Sequence, residues 1–196
     1  MMDAYRAGQR AFGENKAQEM GTKQPLMPAD TEWHFIGHLQ TNKVRLIAPF
    51  VSVIHSIDSI RLLSEVNKEA KRNDRIIDCL LQFHIATEET KFGLDLPEAM
   101  DLLQSKSYTS MANIRVAGVM GMATFSEDED LVRREFRTLR GHFDALRRSV
   151  FPGQPGFHEI SMGMSGDYRI AVEEGSTIIR VGTIVFGERE AVRSEE

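Results

Sequence analysis

Two stretches near the C-terminus carry residue types that hold anions. Ile160–Asp167 (ISMGMSGD) ends an apolar run in Gly163, Met164 and Ser165, and Arg180–Thr183 (RVGT) ends the next one with a glycine and a hydroxyl. A hydroxyl beside the free N–H groups of a helix start attracts a negative group, and glycine lets backbone approach it closely. Ser165 is expected to cap a short helix over 166–174 that stops at Gly175. The set Ser165, Gly182 and Thr183 therefore reads either as a phosphate or sulfate site or as plain turn and cap chemistry.

Arg180 needs separate treatment, because a charged side chain inside TIIRVGTIVFG must find a partner. It points either outward to a carboxylate or into the mouth of the fold, where it would donate to a ligand. Asn15, His34, Gly37, His38, Ser56, Asp58, Gln82 and His84 are further candidates for that mouth. His34 and His38 lie four apart, a spacing that aligns metal ligands on a helix, but here they straddle a strand and a turn. No metal site is expected. Nor does a G-x-S-x-G elbow support a serine hydrolase. Cys79 lies in IIDCLL and reads as a packing residue.

These residues hang on alternating elements. Candidate strands are 11–13, 32–36, 51–57, 76–85, 114–122, 157–162 and 177–186, nearly continuous apolar runs as in sheets covered on both faces. Between them, 59–73, 95–105 and 129–150 place apolar residues at helical spacing. The last of these carries arginines on its other face, which reads as a solvated surface. Repeated βα units permit a doubly wound sheet or a barrel. Seven countable strands, with no glycine fingerprint after the first, favour the barrel.

Length and charge bound the function. A chain of 196 residues with a net charge of -5 fits one domain and argues against a nucleic-acid binder. No run is long and apolar enough for a membrane span. A single cysteine and no secretory layout at the N-terminus point to the cytoplasm.

The motifs FGEN (12–15), WHFIGHLQTNK (33–43), SID (56–58), EETKFG (88–93), GVMGMA (118–123), SMGMSGDY (161–168) and IIRVGTIVFGER (178–189) resemble the YggS/PROSC family of pyridoxal 5′-phosphate (PLP) homeostasis proteins. The resemblance implies an α/β fold, the (β/α)8 TIM-type barrel of alanine racemase N-terminal domains. It implies one PLP-binding domain over 1–189 with a charged tail at 190–196. By position, Met164, Ser165, Gly182 and Thr183 match the phosphate cup. Arg180 matches the arginine facing the pyridine nitrogen, and Asn15 the asparagine near the ring.

The family begins with a further strand whose V-S-K lysine forms a Schiff base with PLP. Nothing before Ala11 matches it. The expectation is a barrel missing its first β-strand, with no covalent attachment and no catalytic residue. A start some thirty residues upstream is the expected origin of the difference. Lys16, Lys43 and Lys91 follow strand ends and are weighed as substitute amines, but Lys16 is expected to point to solvent, and Lys43 and Lys91 lie in family motifs whose members already carry the Schiff-base lysine. A racemase-like PLP enzyme is the alternative function. Family members are monomers, whereas two unpaired edges here would favour an edge-mediated dimer.

Overall fold

The computed structural model describes residues 1–87 and 93–187; Lys91 and the charged tail lie outside the described residues. Seven parallel strands follow one another in chain order, β1 (Ala11–Glu14), β2 (Glu32–Phe35), β3 (Val53–Ile57), β4 (Ile77–Phe83), β5 (Ile114–Gly121), β6 (Glu159–Met164) and β7 (Ile178–Arg180). Each pairs with its sequence neighbours, and among the described residues no ladder joins β7 back to β1. The fold is a nearly closed α/β barrel of seven strands. The helices are α1 (Met2–Arg6), α2 (Ala17–Lys23), α3 (Val44–Ile47), α4 (Ile60–Arg72), α5 (Leu96–Gln104), α6 (Lys106–Thr109), α7 (Glu129–Ser149), α8 (Tyr168–Glu173) and α9 (Thr183–Phe186). None of them is long and apolar enough to cross a membrane.

The long helices start where side chains can satisfy their free amides. Ser59 Oγ accepts from Leu62 N at 3.3 Å, and Asp128 Oδ1 accepts from Leu131 N at 3.0 Å. Asp95 and Glu98 form a reciprocal capping box ahead of α5, with Pro97 in its first turn. The stripe Val132, Phe136, Leu139, Phe143 and Leu146 of α7 is buried against the sheet. On its other face, Arg133 donates to Glu173 and Glu174 and Arg137 to Glu174, tying α7 to the end of α8. Arg140 pairs with Asp144.

Strand alternation divides the apolar residues into two sets. The large core lies between sheet and helices. A small second cluster, Leu80, Ala117 and Met120 with Val53, sits on the inner face of β3–β5. Asp78 and Arg115 lie on that face near the strand starts and make a bidentate pair at 2.7 and 2.6 Å.

The run 177–186 differs from its expected form. Only Ile178–Arg180 is strand, and Thr183–Phe186 winds into the single turn α9. The reason lies next door: β6 ends at Met164, which is the partner of Arg180, so later residues have nothing to pair with. Ile184, Val185 and Phe186 remain exposed.

Glycine decides the close approach of β5 and β6. A Cβ on Gly118 would lie 1.9 Å from the Glu159 carbonyl oxygen, whereas one on Gly141, within α7, meets nothing within 4 Å. Gly118→Ala should therefore cost at least about 2 kcal/mol in urea unfolding. Gly141→Ala should stabilise by roughly 0.5–1 kcal/mol through helix propensity. Equal effects of the two changes would contradict this picture of the β5–β6 contact.

Candidate functional site

Because all seven strands are parallel, their C-terminal ends share one rim, where barrels of this kind place their sites. The last two strands bring Met164 and Arg180 side by side as ladder partners. Gly163, just before, has φ +95°, and a Cβ there would lie 2.6 Å from the Ala171 Cβ. Only glycine lets β6 turn so tightly over α8.

Ser165 does not cap α8, contrary to expectation. The N-cap position belongs to Asp167, whose Oδ1 accepts from Met164 N at 2.6 Å and closes the turn. The Ser165 hydroxyl instead accepts from the Gly182 amide at 3.3 Å, joining the β6 loop to the turn after β7. Gly182 and Thr183 are exposed, and nothing lies within 4 Å of the place a Gly182 Cβ would occupy. In α9 the amides of Val185 and Phe186 both bond the Gly182 carbonyl. The first amides of the turn have no intrahelical acceptor. The result is an open cup of two hydroxyls, Ser165 and Thr183, beside the first backbone amides of α9.

Beside the cup stands Arg180. Its Nη1 donates to Ser161 Oγ at 2.7 Å and its Nη2 to the Gly121 carbonyl at 3.1 Å, so the side chain turns inward across the end of β6 to β5. Burial pushes its pKa down to about 10, with Asp167 acting in the opposite direction. It remains a cation at neutral pH.

Ser161 is fully buried and also contacts His55 Nδ1 at 2.8 Å, and His55 Nε2 lies 3.0 Å from His34 Nδ1. His55 belongs to β3 and Ser161 to β6, so this contact spans the barrel interior. Burial holds His55 well below the usual histidine value, with His34 and Arg180 adding to the effect. Burial also lowers His34, against the pull of Glu32, Glu159 and Asp78.

Asn15 follows β1, across the unpaired gap from β7. It lines a pocket of about 310 Å³ with Lys16, Phe35, His38, Gln40 and Lys43. Gly37 packs on it so closely that a Cβ there would lie 2.2 Å from the Asn15 carbonyl oxygen. His38 Nδ1 stands 3.8 Å from Asp58 Oδ2. Among the described residues no three His, Cys, Asp or Glu side chains gather as a metal would need. Ser56 and Gln82 are both buried, each within its strand.

The structure thus gathers Met164, Ser165, Arg180, Gly182 and Thr183 on one sector of the rim, with Asn15 on the far side of the gap. Sequence reasoning passed over His55 and Ser161. A buried histidine and a buried serine inside apolar strands were the available signal. It also missed Glu135 of α7, which accepts from Thr87 N, Thr124 N and Thr124 Oγ1 at 2.9, 2.7 and 2.8 Å and ties two rim loops together.

The family model of the alanine racemase N-terminal domain matches residues 1–190. The pyridoxal phosphate homeostasis protein of Aquifex aeolicus is 41% identical over 187 residues, 94% of this chain and 79% of that protein. That of Schizosaccharomyces pombe is 34% identical, over 96% and 78% of the two chains. Among solved structures, PipY of Synechococcus elongatus without PLP superposes with a TM-score of 0.87 at 34% identity, covering 95% of this chain and 86% of PipY. PipY with PLP bound gives a TM-score of 0.83 at 34% identity, over 95% and 85% of the two chains. Alanine racemase of Bartonella henselae shares the fold alone, at 14% identity and a TM-score of 0.63 over 94% of this chain and 48% of its own. By this family match, these identities and the shared fold, the chain belongs to the alanine racemase N-terminal domain family, among its pyridoxal phosphate homeostasis proteins.

Proposed function

We propose that the chain is a non-catalytic binder of pyridoxal 5′-phosphate that serves in cytoplasmic homeostasis of that cofactor. Ser165, Gly182 and Thr183, next to Met164, take the phosphate; Arg180 donates to the pyridine nitrogen, and Asn15 stands beside the ring. The observation that carries this is the setting of Arg180. A cation bonded to a hydroxyl and a carbonyl, and to no carboxylate among the described residues, stands next to an open cup of anion donors. That pairing fits a ligand with a phosphate at one end and a ring acceptor at the other. PipY, 34% identical, has been solved with PLP bound, which supports PLP as the ligand.

When bound, PLP supplies an aldehyde that captures amines and a ring that withdraws electrons. A guanidinium that keeps its proton leaves the ring nitrogen unprotonated, which makes the ring a weaker electron sink. Such a setting suits holding and release rather than carbanion chemistry. The proposed hold is non-covalent: among the described residues Lys16, next to Asn15, is paired with Glu19 at 3.0 Å. A cytoplasmic location accords with Cys79, which is free and buried.

The open edges of β1 and β7, with Ile179 of β7 and Ile184 and Phe186 of α9 exposed, also favour pairing with a second copy. Sedimentation should show a concentration-dependent dimer, and a strict monomer would end that part of the proposal.

Titrating the chain with PLP should give a saturable absorbance change, which Arg180→Ala weakens at least ~10-fold through loss of a charged donor. No saturable change, or an unaffected Arg180→Ala variant, would overturn the assignment. Borohydride reduction followed by peptide mapping should label no lysine. A label on Lys16, Lys43 or Lys91, or interconversion of alanine enantiomers, would contradict the non-covalent and non-catalytic parts.

A further inference from the structure

Arg180 does not stand alone in the barrel. A continuous chain of short contacts leads from it to Ser161 (2.7 Å), His55 (2.8 Å) and His34 (3.0 Å), crossing from β7 through β6 and the barrel interior to β3 and β2. Ser161 and His55 are both buried, so each of their polar atoms needs a partner.

The donor inventory fixes the direction of this chain. A guanidinium only donates, so Ser161 Oγ accepts from Arg180. The Ser161 hydroxyl hydrogen then has His55 Nδ1 as its acceptor. His55 must carry its proton on Nε2 and give that hydrogen bond to His34 Nδ1, which leaves the His34 proton on Nε2. With both imidazoles neutral, every contact in the chain is a proper hydrogen bond. A proton added to His34 Nδ1 would face the His55 Nε2 proton. The pair can relax only by moving the His55 proton to Nδ1, where it points at Ser161. Ser161 would then accept from both Arg180 and His55, while its own hydroxyl hydrogen loses its acceptor beside a cation.

We propose that Ser161, His55 and His34 are positioning residues for Arg180: a one-directional hydrogen-bond chain that sets the guanidinium for its ring ligand and holds it less well when the histidine pair takes up a proton. This rests on the assignment of Arg180 to the pyridine nitrogen.

The surrounding charges set where the hold weakens. Glu32 at the start of β2, Asp78 on β4 and Glu159 on β6 favour a charge on His34, but Asp78 is already committed to Arg115. Arg180 and His34 itself oppose a charge on His55, and burial opposes it on both rings. Because the neutral pair is the one that holds Arg180, the hold is complete at neutral pH. It falls as the pH drops below the ordinary histidine value of 6.5.

Three variants and one spectrum test this. At neutral pH, His55→Phe and Ser161→Ala should each weaken PLP binding on the order of tenfold. His55→Asn keeps an acceptor for Ser161 and should restore at least half of that loss on a logarithmic scale. It should also flatten the acid-side fall that the unmodified chain shows, which separates the histidine pair from titration of PLP itself. An unchanged affinity in His55→Phe, or an equal acid-side fall in His55→Asn, would overturn the proposal. Long-range 15N–1H spectra of the ligand-free protein supply a readout that does not depend on PLP binding. They should show both rings protonated at Nε2 at neutral pH, with the Arg180 Nε–H signal shifting at the His34 midpoint. A His55 proton on Nδ1, or an Arg180 signal indifferent to that midpoint, would overturn the chain. A protein that fails to bind PLP yet shows these spectra would defeat the ligand assignment and leave the hydrogen-bond chain standing.

Discussion

The structure turns on one unfinished electrostatic arrangement. Arg180 brings a permanent charge into the last strand and meets a serine hydroxyl and a backbone carbonyl there. Neutral oxygens satisfy its N–H groups without cancelling its charge. Burial already strains that charge, as the lowered pKa shows. A ligand bearing an acceptor for the ring side and a phosphate for the neighbouring cup would complete what the protein leaves open.

The scaffold serves that arrangement through backbone proximity. Gly118 lets β5 and β6 approach until a Cβ would reach the Glu159 carbonyl, which brings Gly121 within reach of Arg180. Gly163 tightens the turn that presents Met164 and Ser165, and Gly37 seats the next rim loop on Asn15. Glu135 fastens two more rim loops to α7, whose arginines in turn hold the end of α8. The polar chain from Arg180 to His34 crosses the interior, so opposite walls of an open barrel share one set of hydrogen bonds.

Much of this was legible in the sequence. Apolar runs separated by helical stripes placed all seven strands, with ends off by a few residues, because parallel strands covered on both faces show near-continuous hydrophobicity. The rim residues stood out as polar and glycine-rich strand ends. The failures share one cause, which is that local pattern does not report the neighbour across the fold. The run 177–186 looks like a strand throughout, but β6 stops opposite Arg180 and the remainder curls into α9. Ser165 has the composition of a cap, yet its hydroxyl serves Gly182, seventeen residues on. His55 and Ser161 are 106 positions apart, and no spacing rule links them. Strand pattern alone lets Arg180 point outward or inward, and its partners on β5 and β6 decide the direction.

The most direct test of Arg180's role is the protonation state of the bound ring. A 15N spectrum of PLP labelled at the pyridine nitrogen, recorded on its complex with this chain at neutral pH, reads that state without reference to affinity. Arg180 as a donor predicts the shift of an unprotonated, hydrogen-bonded pyridine. A pyridinium shift would contradict it, because a guanidinium that keeps its own protons cannot face a ring nitrogen that carries one.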